Sequence, residues 1–380
     1  MRRSKHRPQR RYSRVIGVAV IIGLVVVGAG WWGGHKKAPA PSAPSAPTAS
    51  LQTPTDPNPA TAKQALATAL PATQFTGVAA IYHHGKRIAT LTRGEADRQR
   101  HEKNTVKTMF EIDSVQKSLT AGLVMQAVAA GKLDLHSLLS RYYPQITGAN
   151  QITLRQMLDM TSGLTYHGSF LAPDYISDDV RIQRLIAHLG FDRQQYDHGV
   201  YQPANYVLLA GILEQATHKS YQQLFTDTYL NSLALPHTRF AYAKNQHNMA
   251  TGYGWGSAGL ADAPRIKTSD ATKHQELGTG QIFMSIDDLY QAEQALVNGP
   301  LLSVKDSAWL FAPGSNTTYG GGLYQMPQYR FANGFGYGFQ CFMRITQDGQ
   351  DAVIVMANCN TPNQVLKNAA DKLAGQWLRY

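Results

Sequence analysis

Segments with strand-like alternation stand near both ends of this chain, and helix-periodic segments fill the space between. Phe75 to Tyr82 and Lys86 to Arg93 are rich in β-branched and aromatic residues around the turn pair His84-Gly85. Far along the chain, Phe339 to Ile345 and Ala352 to Met356 flank Asp348-Gly349 in the same way. Between them, apolar residues recur at helical spacing from Ser114 to about Ala130, with Gly131 as a stop. Further helices are predicted at Leu154 to Met160, Asp178 to Leu189 (Ser177 cap, Gly190 stop), Pro203 to Ala216, Tyr221 to Leu233 and Ile286 to Val297. Pro362 to Leu378 reads as a closing helix after a Thr361 cap. This order predicts an α+β fold: one antiparallel sheet built from both chain ends, flanked by helices, with a mainly helical lobe inserted. With 380 residues, 43% of them hydrophobic, the chain can bury the core this needs.

A formal charge of +11 invites a nucleic-acid partner until the charge is located. Residues 1 to 37 hold nine Lys or Arg and no acid, and the remainder holds 27 basic against 25 acidic residues. A domain that tracks phosphates carries its cations on the folded part, so no nucleic acid is expected. The basic tail, residues 1 to 14, precedes Val15 to Trp32, eighteen residues without a charge. That length suits a short transmembrane anchor, and the cationic flank predicts a cytoplasmic N-terminus with the rest of the chain outside the cell membrane. A cleaved signal peptide is the other reading of the same pattern. Residues 33 to 62, with seven prolines between positions 38 and 60, read as an extended stalk. The globular part is expected over residues 63 to 380.

The chemistry-bearing feature is Ser114-Val115-Gln116-Lys117 at a helix start. Residues i and i+3 share a helix face, so the Lys117 amine can approach the Ser114 hydroxyl. A serine hydroxyl needs a base to become a nucleophile, and a neutral lysine can serve once burial or a cation has lowered its pKa. A helix cap beside a solvated lysine is the alternative that the pair alone leaves open. Context separates the two. Phe110-Glu111-Ile112-Asp113-Ser114-Val115-Gln116-Lys117 resembles the first motif of the serine β-lactamase and penicillin-binding protein superfamily, in its class C-like branch of serine hydrolases. The run from Ile152 to Leu164, ITLRQMLDMTSGL, is similar to the stretch that follows that motif. Tyr201, with Asn205-Tyr206-Val207-Leu208-Leu209-Ala210-Gly211, resembles the second motif and its helix. The resemblance covers roughly residues 75 to 378. It implies a β-lactamase/transpeptidase-like fold and an acyl-enzyme on Ser114, with Lys117 as base and Tyr201 as proton relay. It needs no cofactor.

This chain departs from the family pattern twice. The second motif, usually Tyr-x-Asn, reads Tyr201-Gln202-Pro203, which removes an amide side chain. The third motif aligns with Ala332-Asn333-Gly334, which lacks the basic residue that helps hold a substrate carboxylate. Arg330, two residues earlier on the same strand face, is the expected stand-in. The resemblance places Asn333 and Gly334 at the substrate, and the oxyanion hole at the backbone N–H groups of Ser114 and Phe335. It thereby implies a D-alanyl-D-alanine carboxypeptidase acting on cell-wall peptides. A β-lactamase-like esterase acting on a small ester or lactam, and a non-catalytic wall-binding protein that keeps the fold, are the alternatives. The histidines show no metal-ligand spacing, and the pair at 83 and 84 reads as turn surface, so no metal site is expected. Cys341 and Cys359 fit a disulfide or two buried thiols equally.

Overall fold

The computed structural model describes residues 58–167, 175–362 and 364–378. The basic tail, the apolar stretch Val15 to Trp32 and nearly all of the expected stalk lie outside these. No helix among the described residues is long and apolar enough to cross a membrane.

The first helix, α1, spans Pro59–Ala69 and begins four residues before the expected boundary at 63. Asn58 caps it by accepting the Ala60 N–H at 2.8 Å, and Pro59 fills the first turn, where a missing N–H is harmless. Five further helices build the layers around the sheet: α2 (Gln116–Ala129), α3 (Ala204–Thr217), α4 (Ile286–Asn298), α5 (Val304–Phe311) and α6 (Val365–Trp377). The sheet strands are β1 (Gly77–His83), β2 (Lys86–Arg93), β3 (Tyr319–Gly320), β4 (Leu323–Gln325), β5 (Tyr329–Gly336), β6 (Phe339–Thr346) and β7 (Ala352–Ala357). They form one antiparallel sheet in the order β3-β4-β5-β6-β7-β1-β2. The two ends of the chain meet at β1 and β7, in register from Gly77 opposite Ala357 to Tyr82 opposite Ala352. The sheet built from both ends is therefore present.

Both faces of this sheet are covered, which is why β6 and β7 are buried along their whole lengths. Val353 and Val355 pack with Leu66, Phe75 and Leu373 beneath α1 and α6. Ile354 and Met356 face the larger core, which includes Leu119 and Val124 of α2 and Leu208 and Leu209 of α3. Nearly every residue of α2 is buried, the mark of a helix enclosed on all sides.

Three local expectations give way. The helix after Ser177 ends at Ile186, and Leu189–Tyr196 is a strand paired with Ser162–Tyr166, so Gly190 does not stop a helix. Phe191 packs its ring where a Cβ at Gly148 would stand, and that contact favours the extended form. Past Phe225 the predicted helix to Leu233 loosens into a π-turn over Thr226–Asn231. At the last helix, Thr361 donates its hydroxyl to the Gln74 carbonyl instead of capping, and the chain enters α6 through Gln364 in the left-handed region. Cys341 and Cys359 are both free and buried, with Cys341 opposite Met356 and the Cys359 thiol donating to the Gly254 carbonyl.

Candidate active site

Ser114 sits in a single 3-10 turn, Asp113–Val115, that leads into α2. Asp113 enters it with φ 45°, a left-handed backbone that costs a non-glycine residue about 1 kcal/mol and makes a sharp elbow. One turn on, Lys117 Nζ lies 2.8 Å from Ser114 Oγ. Lys117 is only 1% exposed, so its amine is held at the hydroxyl and away from bulk water. Tyr201 closes the group from the segment before α3: its ring centroid is 5.2 Å from Lys117 Nζ, and it packs edge-on against Tyr319. Tyr201 itself is 36% exposed. Ser114, Lys117 and Tyr201 are thus brought together. In the altered second motif, Gln202 accepts the Ala204 N–H and the Gln202 carbonyl accepts from Asn205, so these residues cap the helix.

The oxyanion site follows from strand alternation. The Met326 N–H donates to the Tyr329 carbonyl at 2.9 Å, so the polar backbone groups of Tyr329 face β4. Backbone groups alternate edges residue by residue, which sends those of Phe331, Asn333 and Phe335 the same way. Pairing with β4 stops at Phe331. Beyond it the Phe335 N–H leaves the strand on an edge without a strand partner among the described residues, beside the turn that carries Ser114. Gly334 permits that approach, because a Cβ there would overlap the Ile112 carbonyl oxygen. The Phe335 side chain lies on the same sheet face as Asn333, 52% exposed and packed edge-on against Phe342.

Two expected substrate contacts are directed elsewhere. Asn333 Oδ1 accepts from Arg344 Nη1 at 2.8 Å, and Arg344 also donates to Asp371 of α6, which places the Asn333 side chain on the sheet face turned away from α2. Arg330 donates Nε to Gln325 and Nη1 to the Gln347 carbonyl, and its guanidinium lies over the Phe311 ring. It stands five residues from Phe335, about 16 Å along an extended strand. Burial pulls its pKa down to about 10, with Glu293 opposing.

Sequence reasoning passed over the acids beside the nucleophile. Glu111 and Asp113 are buried, and Glu276 joins them from a loop whose Oε1 lies 3.5 Å from the Tyr337 hydroxyl. Burial first, and neighbouring carboxylates second, push Glu111 and Asp113 well above the usual carboxylate range, with Lys117 working against the shift at Asp113. Glu276 is more than 150 positions from its partners, so no local pattern could have revealed it. Gln116 is likewise structural: it donates to the Tyr221 hydroxyl and accepts the Gln281 N–H, and so fixes the start of α2.

A hydroxyl with a buried amine beside it, next to a strand N–H that has no strand partner among the described residues, can add to a carbonyl and stabilise the resulting oxyanion. Comparison with known proteins agrees. The Beta-lactamase family model matches residues 62–376. The chain belongs to the β-lactamase family. A Bacillus subtilis relative named for penicillin binding, PbpX, is 31% identical over 291 residues, 75% of this chain and 71% of that one. Teichoic acid D-alanine hydrolase of Staphylococcus aureus is 28% identical over 70% of this chain, and the match spans 62% of that protein's length. Among solved structures, FmtA from Staphylococcus aureus superposes with a TM-score of 0.72 at 25% identity, covering 85% of this chain and 90% of that one. D-amino acid amidase from Ochrobactrum anthropi, at 21% identity and a TM-score of 0.67 over 83% of this chain and 97% of that one, shares the fold. A serine hydrolase of the β-lactamase family, with its antiparallel sheet and helical lobe, is therefore established at this level.

Proposed function

We propose that this protein hydrolyses D-aminoacyl esters, with D-alanyl groups on a cell-envelope polymer as the natural class. One observation carries the reading: the strand beside Ser114 offers no free cation among its described residues. Ala332 supplies none, Arg330 is engaged by Gln325 and the Gln347 carbonyl, and Arg344 on β6 is buried against Asp371. A D-alanyl-D-alanine peptide ends in a carboxylate that needs such a cation, whereas a D-alanyl ester has none. The hydrolase among the relatives is named for removal of D-alanine, which supports the same class.

Ser114 Oγ attacks the ester carbonyl while its proton passes to the Lys117 amine 2.8 Å away. The oxyanion is received by the N–H groups of Ser114 and Phe335. Lys117, with Tyr201 as relay, returns a proton to the departing alcohol, leaving D-alanyl-Ser114. Water then attacks that acyl-enzyme and gives up a proton to the same base, and the bond to Ser114 Oγ breaks as that proton returns to Oγ, releasing D-alanine and restoring the serine. The apolar stretch Val15 to Trp32 would hold the domain outside the membrane. Loss of membrane association on deleting residues 1–37 checks that placement.

The test is D-alanine release from a D-alanyl ester of an alcohol, from a D-alanyl-D-alanine peptide, and drug consumption with a penicillin. The ester is expected to be preferred at least tenfold, with activity falling by about three orders of magnitude or more in Ser114→Ala. Faster peptide cleavage would restore the carboxypeptidase reading, and a wild type inert toward all three would favour a wall-binding protein.

A further inference from the structure

At the end of the sheet opposite Ser114, two hairpins bring His83, His84 and Asp351 together. Successive strand residues point to opposite faces, which would separate the two imidazoles. The β1–β2 turn prevents this: His84 and Gly85 take φ 49° and 76°, and the rings end 3.9 Å apart, centroid to centroid. Asp351 arrives from the β6–β7 turn and is 6% exposed. Its backbone N–H donates to Thr346 Oγ1 at 3.0 Å. Its Oδ1 accepts the His84 backbone N–H at 2.9 Å and lies 3.0 Å from His83 Nδ1. One ligand atom from each of the three residues falls within 4.8 Å of the other two.

We propose that His83, His84 and Asp351 form a site for a divalent transition metal of the zinc class. Two ligand atoms each about 2.0–2.1 Å from a tetrahedral zinc stand about 3.3 Å apart. His83 Nδ1 and Asp351 Oδ1 are already close to that spacing, so a metal can take the place of the proton between them. Rotation of the exposed His84 side chain supplies the third bond, and water the fourth. Two imidazoles with one carboxylate suit zinc, nickel or copper, whereas calcium or magnesium would need more oxygens. The Asp351 carboxylate is also oriented by a hydrogen bond from the His84 backbone N–H, as ligating carboxylates commonly are.

The register shows what the ion does. Gly77 lies opposite Ala357, which faces Gln340, the partner of Phe335, so the Gly77 end of β1 is level with the nucleophile. His83 is six residues along, about 20 Å away. The metal takes no part in acyl transfer. It links the hairpin of the chain's first half to the hairpin of its second, across the junction where the sheet is closed.

The test uses the full chain, stripped with EDTA and titrated with Zn²⁺ at neutral pH by calorimetry, together with thermal unfolding. About one equivalent is expected to bind with micromolar or tighter affinity and to raise the Tm by several degrees at a hundredfold excess over Kd. Magnesium at the same concentration is expected to leave the Tm unchanged. His84→Asn keeps a residue that tolerates the left-handed turn, and Asp351→Asn removes the carboxylate; each is expected to weaken binding at least tenfold. Ester hydrolysis by the wild type should be indifferent to EDTA. Equal zinc affinity in His84→Asn, or no zinc-dependent rise in Tm in the wild type, would overturn the site.

Discussion

A lysine buried to 1% exposure beside a serine hydroxyl is an arrangement with chemical consequences, and a second buried titratable group lies one turn below it. Glu293 of α4 is fully buried and bonded to Ser118 Oγ, while the same hydroxyl donates to the Val115 carbonyl at 2.8 Å. One hydroxyl hydrogen cannot serve two acceptors. A protonated Glu293 resolves this by donating to Ser118, and burial pushes its carboxyl up to about 8, against an ordinary value near 4.5. Between those two values the folded state holds a proton that the unfolded chain has released. The stabilisation is therefore complete below about pH 4.5 and is lost as the pH rises through 8, at up to ~1.4 kcal/mol per pH unit. Glu293→Gln keeps the donor to Ser118 and removes the titration. Its unfolding free energy in urea, measured between about pH 5.5 and 7.5, is expected to fall less steeply than that of the wild type. Parallel profiles would show that Glu293 is ionised in the fold.

At the scale of elements, the sequence made the strands and the long helices legible because their period is local. Hairpins at His84-Gly85 and Asp348-Gly349, and the α2 stop at Gly131 with φ 68°, need only neighbouring residues to be recognised. The segment Leu189–Tyr196 was not legible, since its extended form depends on pairing with Ser162–Tyr166 about thirty positions earlier. The same limit applies to Asn333 and Arg330. Strand position placed them near a motif, but their side chains are held by Arg344 and by Gln325, partners that no spacing rule identifies. Gly334, in contrast, has a role that geometry explains: β5 must approach the Ile112 carbonyl closely for the Phe335 N–H to reach the oxyanion. Gly334→Ala is expected to push β5 off that turn, lowering kcat at least tenfold while costing about 1–3 kcal/mol of stability. Steady-state kinetics beside urea unfolding checks this, and an unchanged kcat would remove Phe335 from the mechanism.

At the scale of the whole molecule, the sheet is closed by joining the chain's two ends, and α1 belongs to that closure. It packs beside α6 over the face where Leu66, Leu70, Phe75 and Leu373 meet. From sequence alone, Pro59 counts as one of seven stalk prolines, and the preceding Asn58 gives no apolar period to contradict that. In the fold the two residues are cap and first turn of a helix, roles in which asparagine and proline are favoured. A chain starting at residue 63 loses the cap, the first turn and the buried Ala62, and leaves the remaining helix too short to hold its own end. A chain starting at Asn58 keeps them all. The shorter form is expected to be less stable by about 1–3 kcal/mol, from the lost cap and the lost apolar burial. The site lies at the other face of the sheet, beside α2, so kcat should be the same for both forms at temperatures well below either Tm. Equal unfolding midpoints would show that α1 adds nothing to the folded unit and would return residues 58 to 62 to the stalk.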